Sequence, residues 1–432
     1  STFLSSQMSS GLPIVLLPIS RQDERMSKAR PAGWNTIRVI ASARALSFLG
    51  DELAIFALLL REKHHGGGAL SIAAILAAGH LPLILLSPWA GTVADRVPVR
   101  RLAPFVNIGQ AVFAALLAFN TPLFVSLGLL VLIGAGQAFT APAWSATLPE
   151  LVGKDALPQA LSLMQALYAI AGMAGPAIAG LMVSKFGYVT PMLTNAVTFA
   201  LLALVPAFLT LPFHARQRGP RQRGDVWDGL QIVRREPVIR ALTILMFSLV
   251  VALGAYNVAE LFFALDDLHA STFIYGLTAS VFAAGQFIAA LVNERREVDQ
   301  ARLPANIIVG ALMISLAVLL TGCAWHWALL LPTAALAGAG GSTFTAYAFA
   351  LIVHRSPDES RARVISVVQA AISTGNLSAL AIAGLVISLI GPRTTILLSG
   401  VASILVVAVF APALLRSVVQ NPVGEIAPPQ LV

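Results

Sequence analysis

The residues whose types best suit chemistry are two adjacent acids, Asp51 and Glu52, in Ser47-Phe48-Leu49-Gly50-Asp51-Glu52, with apolar sequence on both sides. At the centre of a membrane-crossing helix an ionised carboxylate costs about 2.5–3.5 kcal/mol, so such residues face a wet cavity or a bonded partner. An acid held that way can carry a proton, bind a cation, or serve as a structural acid bonded to a neighbour. Adjacent helical residues point about 100° apart, so one acid can face a cavity while the other meets a neighbouring helix. Ser47 lies one turn before Asp51, and Arg44 two turns before it. Glu260, with Tyr256 and Asn257 one turn earlier, is the second carboxylate candidate, at a position that fits exposure as well as function. Asp266 and Asp267 read as loop residues. His80 fits a hydrogen-bonded helix contact, and His64-His65 a solvated loop. The single cysteine, Cys323, excludes an intrachain disulfide and a cysteine-built metal site, and its apolar setting predicts a packed thiol. No glycine-rich phosphate loop with Lys and Ser/Thr occurs, so neither a cofactor, an ATP site nor an enzyme is implied.

The elements that hold these acids follow from composition. Of 432 residues, 57% are apolar and 11% charged, against about 25% charged in soluble domains. This predicts an all-α polytopic membrane protein. A crossing needs about 20 mostly apolar residues, and twelve windows qualify: 36–60, 69–93, 102–120, 122–146, 157–184, 188–213, 238–263, 272–292, 304–323, 326–350, 364–390 and 393–415. With both termini on the cytoplasmic side, 24 of the 28 Lys and Arg lie inside, and only Arg61, Lys63, Lys185 and Arg393 outside. The net charge of +8 is therefore mostly topology. The Arg-rich stretch between His214 and Arg223 lacks aromatic interleaving, which argues against a nucleic-acid site and for a solvated linker. The expected divisions are a cytoplasmic tail (1–35), a six-helix bundle (36–213), a basic linker (214–237), a second six-helix bundle (238–416) and a second cytoplasmic tail (417–432). Met26-Ser27-Lys28-Ala29-Arg30 reads as a natural start, which leaves open whether residues 1–25 belong to the native chain.

The two bundles repeat each other. Leu161–Gly187 and Ile365–Gly391 differ by a constant 204 positions, and ten of the 27 pairs are identical, including Ser162/Ser366, Gln165/Gln369, Gly180/Gly384 and Gly187/Gly391. The same offset pairs Gly134-Ala135-Gly136 with Gly338-Ala339-Gly340. Six spans per half make the repeats parallel, and in membrane proteins of that build a ligand sits between the halves near the midplane.

Gly91-Thr92-Val93-Ala94-Asp95-Arg96-Val97-Pro98-Val99-Arg100-Arg101 follows the second window. It resembles the signature loop of the major facilitator superfamily at Gly91, Asp95, Arg96 and Arg100, with Pro98 in place of the usual Gly. Gly172-Met173-Ala174-Gly175-Pro176-Ala177-Ile178-Ala179-Gly180 resembles the exporter motif of that superfamily, carried by Gly172, Gly175, Pro176 and Gly180. The Gly50-Asp51 pair is similar to the first helices of its drug, siderophore and macrolide exporters. The resemblance implies the superfamily's twelve-helix fold, a conformational latch at the loop, and a cavity lined by spans 1, 4, 7 and 10. It nominates Gln137, Thr140, Trp144, Tyr256, Asn257, Phe344, Thr345 and Tyr347 for that cavity. Gln165 and Gln369, matched across the repeat, are expected as polar contacts between the halves. The implied function is export of amphipathic or hydrophobic small molecules across a bacterial inner membrane by proton antiport, with Asp51, Glu52 and Glu260 as coupling acids. Partners would be the substrate, protons and the bilayer, for a monomeric protein. Members of the drug–proton branch often carry an Arg in the fourth span, and none occurs between Leu123 and Thr147. An uncoupled facilitator, a lysolipid flippase and a non-transporting receptor of the same fold stay open.

Overall fold

The computed structural model describes residues 34–119, 121–209, 225–294, 302–356 and 360–420, and every element among them is helical. The first half consists of α1 (Trp34–His64), α2 (Ala69–Arg96), α3 (Val99–Leu117), α4 (Leu123–Trp144), α5 (Gln159–Phe186) and α6 (Val189–Phe208). A short helix, α7 (Asp225–Arg235), leads to the second half. That half consists of α8 (Pro237–Asp267), α9 (Thr272–Glu294), α10 (Leu303–Gly322), α11 (Trp327–Arg355), α12 (Arg361–Ile390) and α13 (Pro392–Gln420). Nine of these are long and apolar enough to cross a membrane among the described residues, and α1, α2 and α3 complete the twelve-helix arrangement.

Several local features depart from the sequence expectation. Between the fourth and fifth windows helix continues: it runs from Leu123 to Phe186 and bends at Gly153, whose φ of 76° suits glycine. Part of the expected linker is the helix α7, docked on the start of α12 where Gly229 lies against the Arg363 backbone. The arginines between His214 and Arg223 lie outside the described residues. Asp266 and Asp267 belong to a π-helical turn that ends α8. Cys323 is exposed, because it caps the end of α10 and does not pack inside it.

The repeat is visible in the packing. Gly187 and Gly391 cap α5 and α12 with φ near 77° and 80°, each N–H donating to the carbonyl four residues back. Ser184 and Ser388 each donate to a carbonyl three residues back at 2.8 Å. Gly134 packs α4 on α2 at Gly79, and Gly338 packs α11 on α9 at Phe282. Gly136 meets Gln110 of α3, and Gly340 meets Ile314 of α10, which is 204 residues further on.

The twelve spans leave one end rich in arginine, with Arg100, Arg101, Arg234, Arg235, Arg302 and Arg363, which we call the basic end. The largest apolar core lies toward the opposite end and draws on both halves, with Leu58, Ala73 and Val183 packed in one cluster with Val258, Phe263 and Ile387. Toward the basic end each half has its own core: Ile40, Ala103, Trp144 and Leu202 in the first, Val238, Ile307, Tyr347 and Leu414 in the second. The halves meet through α5 on α9 and α12 on α2. Gly180 lies against Thr272 and Phe273, and Gly384 against Leu70. Lys63 of α1 pairs with Asp266 of α8 at 2.7 Å and lies over the Phe262 ring. The space between the halves is therefore shut at the end opposite the basic one.

Arg61, counted among the few basic residues on the outer side, is buried near that closed end. Its guanidinium donates to the carbonyls of Leu117 (2.7 Å) and Phe119 (3.0 Å) and to the Ser126 hydroxyl (3.2 Å), satisfying the C-terminus of α3. Arg393 makes the matching bond to the Gly322 carbonyl at the end of α10. Replacing Arg61 with Met strands those carbonyls, so we expect a loss of about 3 kcal/mol. Equilibrium unfolding in mixed micelles checks this. A change of less than about 0.5 kcal/mol, typical of surface substitutions, would show that the bonds are dispensable.

Candidate functional site

The course of α8 sets the site. Gly254 brings the helix so close to α12 that a Cβ would collide with Ala379. Just beyond it, Tyr256, Asn257 and Glu260 all line the space between the halves.

That space is a cavity of about 520 Å³, walled by both halves. The first half supplies Glu52, Phe56 and Pro176, and the second Glu260, Tyr275, Phe282 and Asn376. The Phe56 and Tyr275 rings stack across the two halves, 4.9 Å apart. Tyr256 and Glu260, one turn apart on α8, both line this cavity. Glu260 is therefore turned inward, which removes the exposed alternative. No Lys, Arg or His stands among the described lining residues. The volume falls within the range of small-molecule pockets.

A second cavity, about 190 Å³, lies within the first half and is bordered by Asp51, Glu52, Phe48, Gln137 and Asn195. Asp51 accepts hydrogen bonds from Gln137 Nε2 (2.7 Å) and Asn195 Nδ2 (3.2 Å). The two adjacent acids thus divide as their angular separation requires. Asp51 turns to α4 and α6, and Glu52 reaches the larger cavity.

The exporter-like motif forms the wall between α5 and its partners. A Cβ on Gly172 would stand 3.5 Å from the Phe48 ring, and Gly175 leaves room for Glu52. Past Pro176 the Ala177 N–H donates to Ser280 of α9 at 3.0 Å, a bond between the halves. In the signature loop, Val97 and Pro98 form an extended link between α2 and α3, and Arg100 is exposed. The side chains of Gly91, Asp95 and Arg96 lie outside the described residues, as does that of His80.

Several nominated residues lie elsewhere. Trp144 is buried in the first half's own core with Ile40 and Leu202, and Phe344 and Tyr347 are buried in the core of the second half. Large aromatic rings on α4 and α11 fill the gaps between helices of one bundle, so these three do not line the cavity. Thr140 is buried and donates to the Gly136 carbonyl, and Thr345 is exposed. Gln165 and Gln369 are exposed where the halves have separate cores, so neither bridges them in this structure. Sequence reasoning missed Asn195, Ser373, Asn376, Thr278 and the Phe56–Tyr275 stack. A lone Asn in the apolar sixth window was the available signal for Asn195.

Comparison with known proteins gives one family. The model for the Major Facilitator Superfamily matches residues 40–295 and 246–429. The chain is 24% identical over 393 residues to the uncharacterised MFS-type transporter YfiS of Bacillus subtilis, covering 86% of this chain and 91% of that one. It is 28% identical over 225 residues to the multidrug efflux pump Tap of Mycolicibacterium fortuitum, covering 49% of this chain and 55% of the pump. Among solved structures, the nucleoside transporter NupG superimposes with a TM-score of 0.73 at 12% identity, over 88% of this chain and 99% of that one.

Proposed function

The chain belongs to the major facilitator superfamily, and from that premise we propose that it exports amphipathic small molecules from a bacterial cytoplasm in exchange for protons. Its relatives and fold neighbours are transporters, not enzymes. Export is the reading that fits the likeness to a multidrug efflux pump. The excess of Lys and Arg at one end fits a cytoplasmic basic end in the inner membrane.

One observation carries the reading: Glu52 from one half and Glu260 from the other line a single apolar cavity. A cation seated there would be held by both halves at once. Exchange needs a proton taken up as the cation leaves, and a carboxylate held between helices beside that cavity is the group able to carry it. Rocking of one half against the other would turn the cavity from the basic end to the opposite end. Lipophilic cations are the preferred cargo, and anions are rejected by the two acids.

The test is transport by liposomes containing the purified protein and a lumenal pH dye. Tetraphenylphosphonium should drive proton movement against its own flux, a lipophilic anion should not, and Glu52→Gln should abolish the signal. Flux of the cation without any proton signal would leave an uncoupled facilitator or flippase.

A further inference from the structure

The two acids of the Asp51–Glu52 pair differ in reach: Asp51 borders one cavity and Glu52 borders both. The 190 Å³ pocket is lined by residues of the first half alone. It shares Glu52, Ile55, Leu76 and Leu83 with the larger cavity, so Glu52 stands at the partition. Asp51 borders only the small pocket and Glu260 only the large one. The small pocket is too narrow for an amphipathic substrate. At about 30 Å³ per water it has room for roughly six waters.

The groups around Asp51 differ in their freedom. The single hydroxyl proton of Thr198 has two acceptors in reach, the Asn195 carbonyl at 2.8 Å and Asn195 Oδ1 at 3.2 Å, and its donation to Oδ1 keeps Nδ2 facing Asp51. Space is tight here: a Cβ on Gly50 would stand 2.6 Å from Asn195 Oδ1. Asn195 is thus a donor in fixed orientation. Gln137, 2.7 Å from the other carboxylate oxygen, borders the pocket and can exchange Nε2 for Oε1 by turning over. An ionised Asp51 accepts from both amides. Once protonated it carries an O–H that needs an acceptor, and of the two amides the Gln137 one, which borders the pocket, can supply it by rotating. The other titratable group bordering the pocket is Glu52, on the same helix. Among the described residues of α4 and α6 these two amides are the groups that hydrogen-bond Asp51, and the side chain of His80 of α2 lies outside the described residues.

We propose that this pocket holds the coupling proton apart from the substrate, with Asp51 as its carrier, Asn195 as a positioning residue fixed by Thr198, and Gln137 as the amide that turns over when Asp51 is protonated. The proposal rests on the antiport reading above. It adds that proton and cargo do not compete for one carboxylate: they communicate through Glu52 at the partition and through the α4 contact that Gln137 makes or reverses.

The experiment pairs equilibrium binding of tetraphenylphosphonium with substrate-driven proton movement in liposomes. In Asp51→Asn, affinity should stay within about threefold of the parent while proton movement falls more than about tenfold. In Glu52→Gln both should fall. Equal loss of affinity in the two variants would put proton and cargo in one compartment and overturn the proposal. Proton movement retained in Asp51→Asn would overturn it too, by placing the carrier elsewhere. A parent that moves no protons would instead fail the antiport reading, and this proposal with it. Thr198→Val tests the positioning role without touching the acid: its pH profile of transport should move by more than about half a unit, and Thr198→Ser should restore it. An unmoved profile would remove Asn195 from the mechanism.

Discussion

Glu260→Gln is expected to weaken binding of a lipophilic cation about thirtyfold while leaving a neutral analogue of the same size within about twofold. Glu260 lines an apolar cavity in which no described Lys, Arg or His answers its charge. The cargo's positive charge would then be its countercharge. Truncating one partner of a desolvated charge pair costs about 2–5 kcal/mol. The low end of that range already gives the thirtyfold change. Gln keeps the size and one carbonyl acceptor, so the shape of the cavity is preserved. The neutral analogue reads that shape alone. Equal loss for both ligands would make Glu260 a packing residue. Glu52→Gln should behave alike toward the cation, and the double variant should lose less than the sum, since both acids act on one ligand.

Gly276→Val is expected to cut export at least about thirtyfold by preventing the closed end from forming. Gly276 lies in α9 where it crosses α5, and an added Cβ would run into the Pro176 carbonyl and crowd the Ala177 backbone. The obstacle is main chain in a helix, which cannot swing aside as a side chain would. Overpacking costs about 1–3 kcal/mol, and it falls only on the conformation in which α5 and α9 touch. A shift of about 2 kcal/mol between two conformations changes their ratio about thirtyfold. In a Cys323→Ser background, Lys63→Cys and Asp266→Cys should be joined by a short bismaleimide, because the parent side chains are an ion pair 2.7 Å apart. Adding Gly276→Val should abolish that cross-link. Undiminished cross-linking would mean that the α5–α9 contact does not govern closure.

The sequence carried the architecture further than the site. Twelve apolar windows and a 204-residue offset are long-range patterns, and Gly187 and Gly391 realise the offset down to their backbone angles. Asp51, Glu52 and Glu260 were legible because a carboxylate in an apolar run is costly and therefore has a reason to be there. The facing partners were not legible. Asn195 is 144 positions from Asp51, and only the meeting of α1 and α6 at Gly50 brings them together. Trp144, Phe344 and Tyr347 misled because most residues of an apolar helix in a twelve-helix bundle touch neighbours in their own half, and polarity alone does not mark the cavity face. The close approach at Gly254 was also hidden: one glycine in an apolar run does not announce that α12 passes within contact distance.

The most direct test of proton-coupled export is the gradient the protein sustains at zero flux. Liposomes containing the purified parent, with voltage clamped to zero by potassium and an ionophore, are given a pH difference of about one unit, worth about 1.4 kcal/mol per proton. Exchange of one proton for one lipophilic cation predicts that tetraphenylphosphonium settles at about a tenfold concentration ratio toward the acidic side, which protonophore collapses. Equal concentrations on the two sides, reached at the same rate with or without protonophore, would contradict the account and leave a facilitator.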